Sequence, residues 1–196
     1  MSHSGHRGHR DDDRITELAF AAARGDQVAF EAWVRATQAD VWRFLVHLDG
    51  REKADDLTQE TYLRAVSALP RFAGRSSSRT WLLSIARRVV IDAIRRESAR
   101  PRLADQDWET VVGTADASSA RHQNAAGGFE AVVDTRLLLD QLDPERREAL
   151  ILTQVLGYSY AEAAEICGCP VGTIRSRVAR ARDELLLVLR EQGNAS

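Results

Sequence analysis

Three groups of side chains in this chain have the types and spacing to do chemistry. Asp55, Asp56 and Glu60 stand close together in the predicted helical stretch ADDLTQETYLRAVSAL, with Asp56, Gln59 and Glu60 at i, i+3 and i+4 on one face. Grouped carboxylates can hold a divalent cation, but no histidine stands near, and a single helix supplies too few oxygens for a hard ion. The spacing fits equally a solvated acidic face, because acids near a helix start complement its dipole. Cys167 and Cys169 are two apart, poor spacing for a disulfide and too few ligands for zinc, so they read as reduced thiols. The third group is cationic. Of the 27 Lys and Arg residues only Lys53 is lysine, and residues 71–102 carry nine arginines against Asp92 and Glu97. Residues 130–169 reverse the balance, with eight acids and three arginines. The net charge of −2 therefore does not argue against a phosphate partner, since screening beyond about 8 Å makes the local field decisive.

The elements that position these groups read as helical throughout. SYAEAAEICGCPVGTIRSRVARAR, residues 159–182, predicts a helix, a tight turn and a second helix. Tyr160, Ala164 and Ile166 form the buried face of the first, Gly168 supplies a left-handed end, and Pro170 sits where a helix can begin without its N–H. In the second, Ile174, Val178 and Ala181 face inward, while Gly172, Thr173, Arg175, Ser176 and Arg177 face outward. That is a helix-turn-helix, whose second helix enters the DNA major groove.

Upstream, helices are expected near 14–24, 26–48 and 51–69, the last with Leu57, Leu63 and Val66 (and part of Tyr62) toward a core. Pro70 stops it, and after a loop at 71–78 a helix runs from Ser78 to Ser98 with Trp81, Leu82, Ile85, Val89 and Ile94 as its buried stripe. On its other face Ser84, Arg88, Asp92, Arg95 and Arg96 project together, and Arg88, Asp92 and Arg96 could form an i, i+4 ion ladder. The domain reading is a tail at 1–13, a helical domain at 14–100, a flexible linker at 101–128, a helix-turn-helix domain at 129–191 and a tail at 192–196. His3, His6 and His9 fall in the first tail and read as disordered; Trp108 with Val111 and Val112 is an apolar patch in the linker. The fold class is all-α, two small helical domains on a tether. No apolar run reaches the roughly 18 residues that span a bilayer and no signal peptide opens the chain, so the expected location is cytoplasmic, without membrane insertion.

ADDLTQETYLRA followed by RFAGRSSSRTWLLSIARRVVIDAIRR closely resembles the second domain of the extracytoplasmic-function sigma factors of bacteria. LDPERREALIL through YSYAEAAEICGCPVGTIRSRVARAR resembles their fourth domain. The likeness covers roughly residues 15–100 and 130–190, in the family's order.

The resemblance implies a transcription initiation factor, not an enzyme, with no metal and no cofactor. Asp56, Gln59 and Glu60 would dock on the clamp helices of the largest subunit of core RNA polymerase, meeting its cations in charge-assisted bonds. Arg71, Phe72, Gly74, Arg75, Ser76, Ser77, Ser78 and Arg79 would form the loop that takes a flipped base of the −10 element. Ser84, Arg88, Asp92 and Arg95 would face the single strand. The family often has asparagine where Arg88 stands. Gly172, Thr173, Arg175 and Ser176 would lie at the bases of the −35 element, with Arg177 and Arg180 nearer phosphates. Promoter DNA and polymerase are thus the implied partners of a free monomer. Many relatives are held by an anti-sigma protein; a self-occluded free state, with the acidic 130–169 surface or the Trp108 patch on the arginine helix, is the other expectation from the charge asymmetry. Two rivals remain on composition alone: an operator-binding helix-turn-helix dimer, and a hydrolase using Asp55, Asp56 and Glu60 on a metal.

Overall fold

The computed structural model describes residues 5–99, 139 and 141–194, and all regular elements among them are helical. Helix α1 spans Gly5–Ala23, α2 Gln27–Asp49, α3 Arg51–Ala68 and α4 Ser78–Ala99, with a short 3₁₀ turn Leu69–Arg71 after α3. Gly25, at φ 95°, makes the turn between α1 and α2, and Asp26 caps α2 by accepting from the Ala29 N–H at 3.0 Å. Gly50 turns α2 into α3. The expected linker at 101–128, its Trp108 patch, His3 and the start of the second domain lie outside the described residues.

The four helices enclose Trp33, Val41, Phe44 and Leu45 of α2 and Leu82, Ile85, Ala86 and Val89 of α4. Polar atoms in this core are paired. Trp33 Nε1 donates to Ser78 Oγ at 3.1 Å, and Thr37 Oγ1 donates to Trp33 O at 2.8 Å. Burial pushes the Tyr62 phenol up to about 12, and its hydroxyl stands 2.7 Å from Thr37 Oγ1.

Three expectations are corrected here. Helix α1 starts at Gly5, so residues 5–13 are helical where a disordered tail was expected. Leu63 and Val66 are exposed, at 59% and 47%, because α3 buries Ala54, Leu57, Thr61 and Ala65 instead. At about 3.6 residues per turn Val66 points opposite Leu57. By the same geometry Ile94, five residues past Val89, rotates out of the stripe and is exposed.

In the second module α5 spans Pro144–Leu150 and runs into a π turn, Ile151–Val155. Asp143 caps it and Pro144 occupies the first turn. Helix α6, Tyr160–Cys167, opens on a capping box in which Ser159 and Glu162 each bond the other's backbone N–H. Gly168 ends it in the left-handed conformation at φ 65°, ψ 39°, and α7 follows over Val171–Asn194. Ile174, Val178 and Ala181 are buried against α5 and α6, as the spacing predicts.

The two modules pack together. Helix α6 lies against α4, and the π turn touches α2. Helix α4 buries more than one face can hold: besides the stripe at Leu82, Ile85, Ala86 and Val89, it buries Leu83 and Val90. Arg87, on the face between those two, bonds through Nε to Glu148 Oε1 of α5 at 2.6 Å. Glu148 is only 5% exposed. Arg147 also donates to the His47 carbonyl of α2.

Candidate nucleic-acid and polymerase interfaces

Along α3 the exposed positions Asp56, Gln59, Leu63 and Val66 form one stripe at steps of three and four, acidic at its start and apolar further on. The sequence spacing assigns Leu63 and Val66 to a core; the structure places them on the exposed stripe instead, and the helical angle from Leu57 is the signal that could have found them. Asp55 is engaged elsewhere, accepting from Trp42 Nε1 at 2.8 Å. Glu60 is half-exposed and accepts from Arg64 Nε at 2.7 Å. No group of three or more metal-ligating side chains occurs among the described residues.

The loop and helix expected at the −10 strand divide into open and engaged positions. Arg71, Arg75, Arg88 and Arg95 are exposed. Ser76 and Ser77 are half-buried, and Ser77 Oγ accepts from the Thr80 N–H at 3.2 Å, capping α4. Ser84 Oγ donates back to the Trp81 carbonyl. Phe72, expected to meet a base, is buried instead. Its ring lies 5.1 Å from Phe20 and 5.0 Å from Trp81, and Trp81 continues the cluster to Trp33 at 6.3 Å. Gly74, at φ 65°, lies under Phe20, so a Cβ there would meet the ring at 2.5 Å.

Arg79 is held, not free. It pairs with Asp12 at 2.9 Å, Asp11 at 3.1 Å and Asp40 at 3.4 Å. Burial pushes the Asp12 carboxyl up, against the pull of Arg79. Nor does Asp92 join the ladder with Arg88 and Arg96: it accepts from Arg64 Nη1 across the α3–α4 groove at 2.6 Å. That bond holds its carboxyl below the usual carboxylate range.

On α7 the reading edge is open. Gly172, Arg175, Ser176 and Arg180 are exposed and Thr173 is half-buried. Arg177 differs from the expectation that it reaches phosphate. Its side chain is only 17% exposed, pairs with Glu145 of α5 and donates to Cys169 Sγ. It anchors the recognition helix to its own module. Burial pushes the Cys167 thiol up to about 12. Both cysteines are free.

Residues 26–100 match the family model Sigma-70 region 2, and residues 133–185 match Sigma-70, region 4. The chain belongs to the extracytoplasmic-function sigma factors. It is 54% identical over 176 residues to the Mycobacterium tuberculosis ECF RNA polymerase sigma factor SigC, covering 90% of this chain and 91% of the relative. It is 39% identical over 151 residues to the ECF RNA polymerase sigma factor EcfG of Rhodopseudomonas palustris, covering 76% and 79%. Among solved structures, the sigma factor RpoE in complex with the anti-sigma factor NepR, from Bartonella quintana, superposes at a TM-score of 0.66 with 30% identity. It covers 82% of this chain and 96% of that one. CnrH, solved with the cytosolic domain of CnrY, shares the fold at the same TM-score and 24% identity. As a sigma factor this chain directs core RNA polymerase to promoters. No helix among the described residues is long and apolar enough to cross a membrane.

Proposed function

We propose that three surfaces divide the work. The α3 stripe from Asp56 through Gln59 and Glu60, extended by Leu63 and Val66, docks on the clamp helices of core polymerase. The arginines at 71, 75, 88 and 95 hold the −10 strand. The open edge of α7, with Arg175 foremost, reads the −35 element. The observation that carries this reading is the exposed edge Gly172, Arg175, Ser176 and Arg180 on a helix anchored from behind by Arg177 and Glu145. Strand opening then follows from capture of unstacked bases, which offsets roughly 1–2 kcal/mol per base-pair step. The protein acts by binding alone, and no catalytic residue is required of it.

The free chain is closed. Helix α6 against α4 and the buried Arg87–Glu148 pair support this. Promoter elements centred roughly 25 base pairs apart lie some 85 Å apart at about 3.4 Å each, farther than two touching modules reach. Opening is feasible in length: the 39 residues from 100 to 138 extend to at most about 130 Å. Helix α6 then does within the chain what an anti-sigma protein does from outside; an anti-sigma partner remains the second reading, since RpoE was solved with the anti-sigma factor NepR.

Run-off transcription with purified core polymerase tests the assignment. Wild type should give a discrete start site, Asp56→Arg should lose core binding and all product, and Arg175→Ala should bind core yet lose promoter choice. A wild-type chain that does not co-elute with core polymerase defeats the reading.

A further inference from the structure

Arg64, which no motif singles out, joins two of these surfaces. Its Nε lies 2.7 Å from Glu60 Oε1 on the polymerase-facing side, and its Nη1 lies 2.6 Å from Asp92 Oδ2 on α4. One guanidinium thus serves two carboxylates 32 residues apart in the chain, which a planar fork can do and a lysine ammonium does less well. Asp92 stands one turn from Arg88 and Arg96, either of which could pair with it along the helix. It pairs with Arg64 instead, and Arg88 and Arg95 make no ion pair among the described residues.

We propose that Arg64 is a positioning residue of the −10 surface. It draws Asp92 toward α3 and neutralises it, leaving Arg88 and Arg95 for the strand, and through Glu60 it ties that state to polymerase docking. Without Arg64 the carboxylate faces the strand path uncompensated and recaptures Arg88 or Arg96. A polymerase cation on Glu60 releases Arg64 wholly to Asp92, so docking and strand capture reinforce each other, and the reinforcement is reciprocal. This rests on the assignment of α3 to polymerase and α4 to the strand.

The test uses holoenzyme assembled from the full chain and bacterial core polymerase, with core alone as baseline. The probe is a fluorescent single-stranded 12-nucleotide DNA. Arg64→Ala should weaken strand binding about three- to tenfold and flatten its salt dependence, because fewer phosphates are neutralised. Asp92→Asn should bind at least as well as wild type. The double variant Arg64→Ala/Asp92→Asn should return to within about twofold of Asp92→Asn, while Arg64→Lys recovers only part. Melting temperatures of the variants, taken alongside, separate a loss of strand binding from a loss of fold. A double variant as weak as Arg64→Ala overturns the proposal, as does Arg64→Ala binding like wild type. If the wild-type chain fails to bind core at all, the functional reading falls first and takes this inference with it.

Discussion

Helices α4 and α7 are both long, arginine-bearing and assigned to DNA, yet the free protein treats them oppositely. Helix α7 keeps its reading edge open and uses a single inward arginine, Arg177, to fix itself to Glu145 and Cys169. Helix α4 is buried on two faces, one in its own module and one toward α6, and Arg87 is tied to Glu148. Around it Arg79 is held by three aspartates. The difference lies in the charge pattern. Of the α4 arginines, Arg87 pairs with Glu148 of the second module and Arg79 with aspartates of the first, whereas Arg175 and Arg180 of α7 face solvent. A helix packed against a second module must be uncovered before that face can meet another partner, and this is where α4 and α7 differ.

The comparison breaks most sharply at Glu148. Glu148→Ala leaves Arg87 half-buried without its carboxylate, and removing one partner of a buried pair costs about 3–5 kcal/mol. That cost falls on the closed form. The modules should separate, which small-angle scattering reads as a larger radius of gyration, and the free chain should bind single-stranded DNA more tightly. An unchanged radius would mean that apolar packing between α4 and α6 suffices for closure.

A smaller effect separates the two arginines of α7. Arg175→Ala should lose about 1–3 kcal/mol of discrimination at one −35 base pair with its melting temperature unchanged. Arg177→Ala should do the reverse, lowering the melting temperature while changing promoter affinity little, because its guanidinium is occupied by Glu145. Competition binding with singly substituted promoters, alongside thermal melts, checks both. Equal effects of the two substitutions on affinity would return Arg177 to the DNA.

The helix-turn-helix was legible almost residue by residue, since left-handed Gly168, Pro170 and inward Ile174, Val178 and Ala181 are local signals. Helix α3 was not. Its buried stripe is Ala54, Leu57, Thr61 and Ala65, mostly small residues, so the apolar Leu63 and Val66 misled a reading by hydrophobicity. Phe72 differs in the opposite sense: the resemblance places it in the −10 loop, but its ring packs on Phe20 and Trp81, with Trp33 behind. Pairings across long separations, Arg64 with Asp92 and Arg79 with Asp11 and Asp12, leave no trace in spacing. They decide which cations are free. The charge asymmetry between residues 71–102 and 130–169 left open whether the modules meet, and nothing in spacing pairs Arg87 with Glu148.

The subtlest difference between the helices can be read from a thiol. Cys167 ends α6 beside the Arg87–Glu148 pair, and burial moves it from 9.0 to about 12. Between those values the unfolded chain has lost a proton that the folded chain keeps, so stability falls as pH rises and is at its full value below 9. At pH 10 the loss is on the order of 1 kcal/mol, measurable by urea denaturation under reducing conditions at pH 8 and pH 10. Cys167→Ala should shrink the difference between the two pH values, leaving the part due to the buried Tyr62 phenol. Burial and, after it, the Glu148 carboxylate both raise the thiol, so the Glu148→Ala variant should lose part of the alkaline sensitivity without losing the thiol. Arg175→Ala, on the edge that closure leaves exposed, should keep all of it. If the Glu148 variant retained the full pH dependence, the thiol would be buried by its own module alone, and the covering of α4 would be shallower than that of a true domain interface.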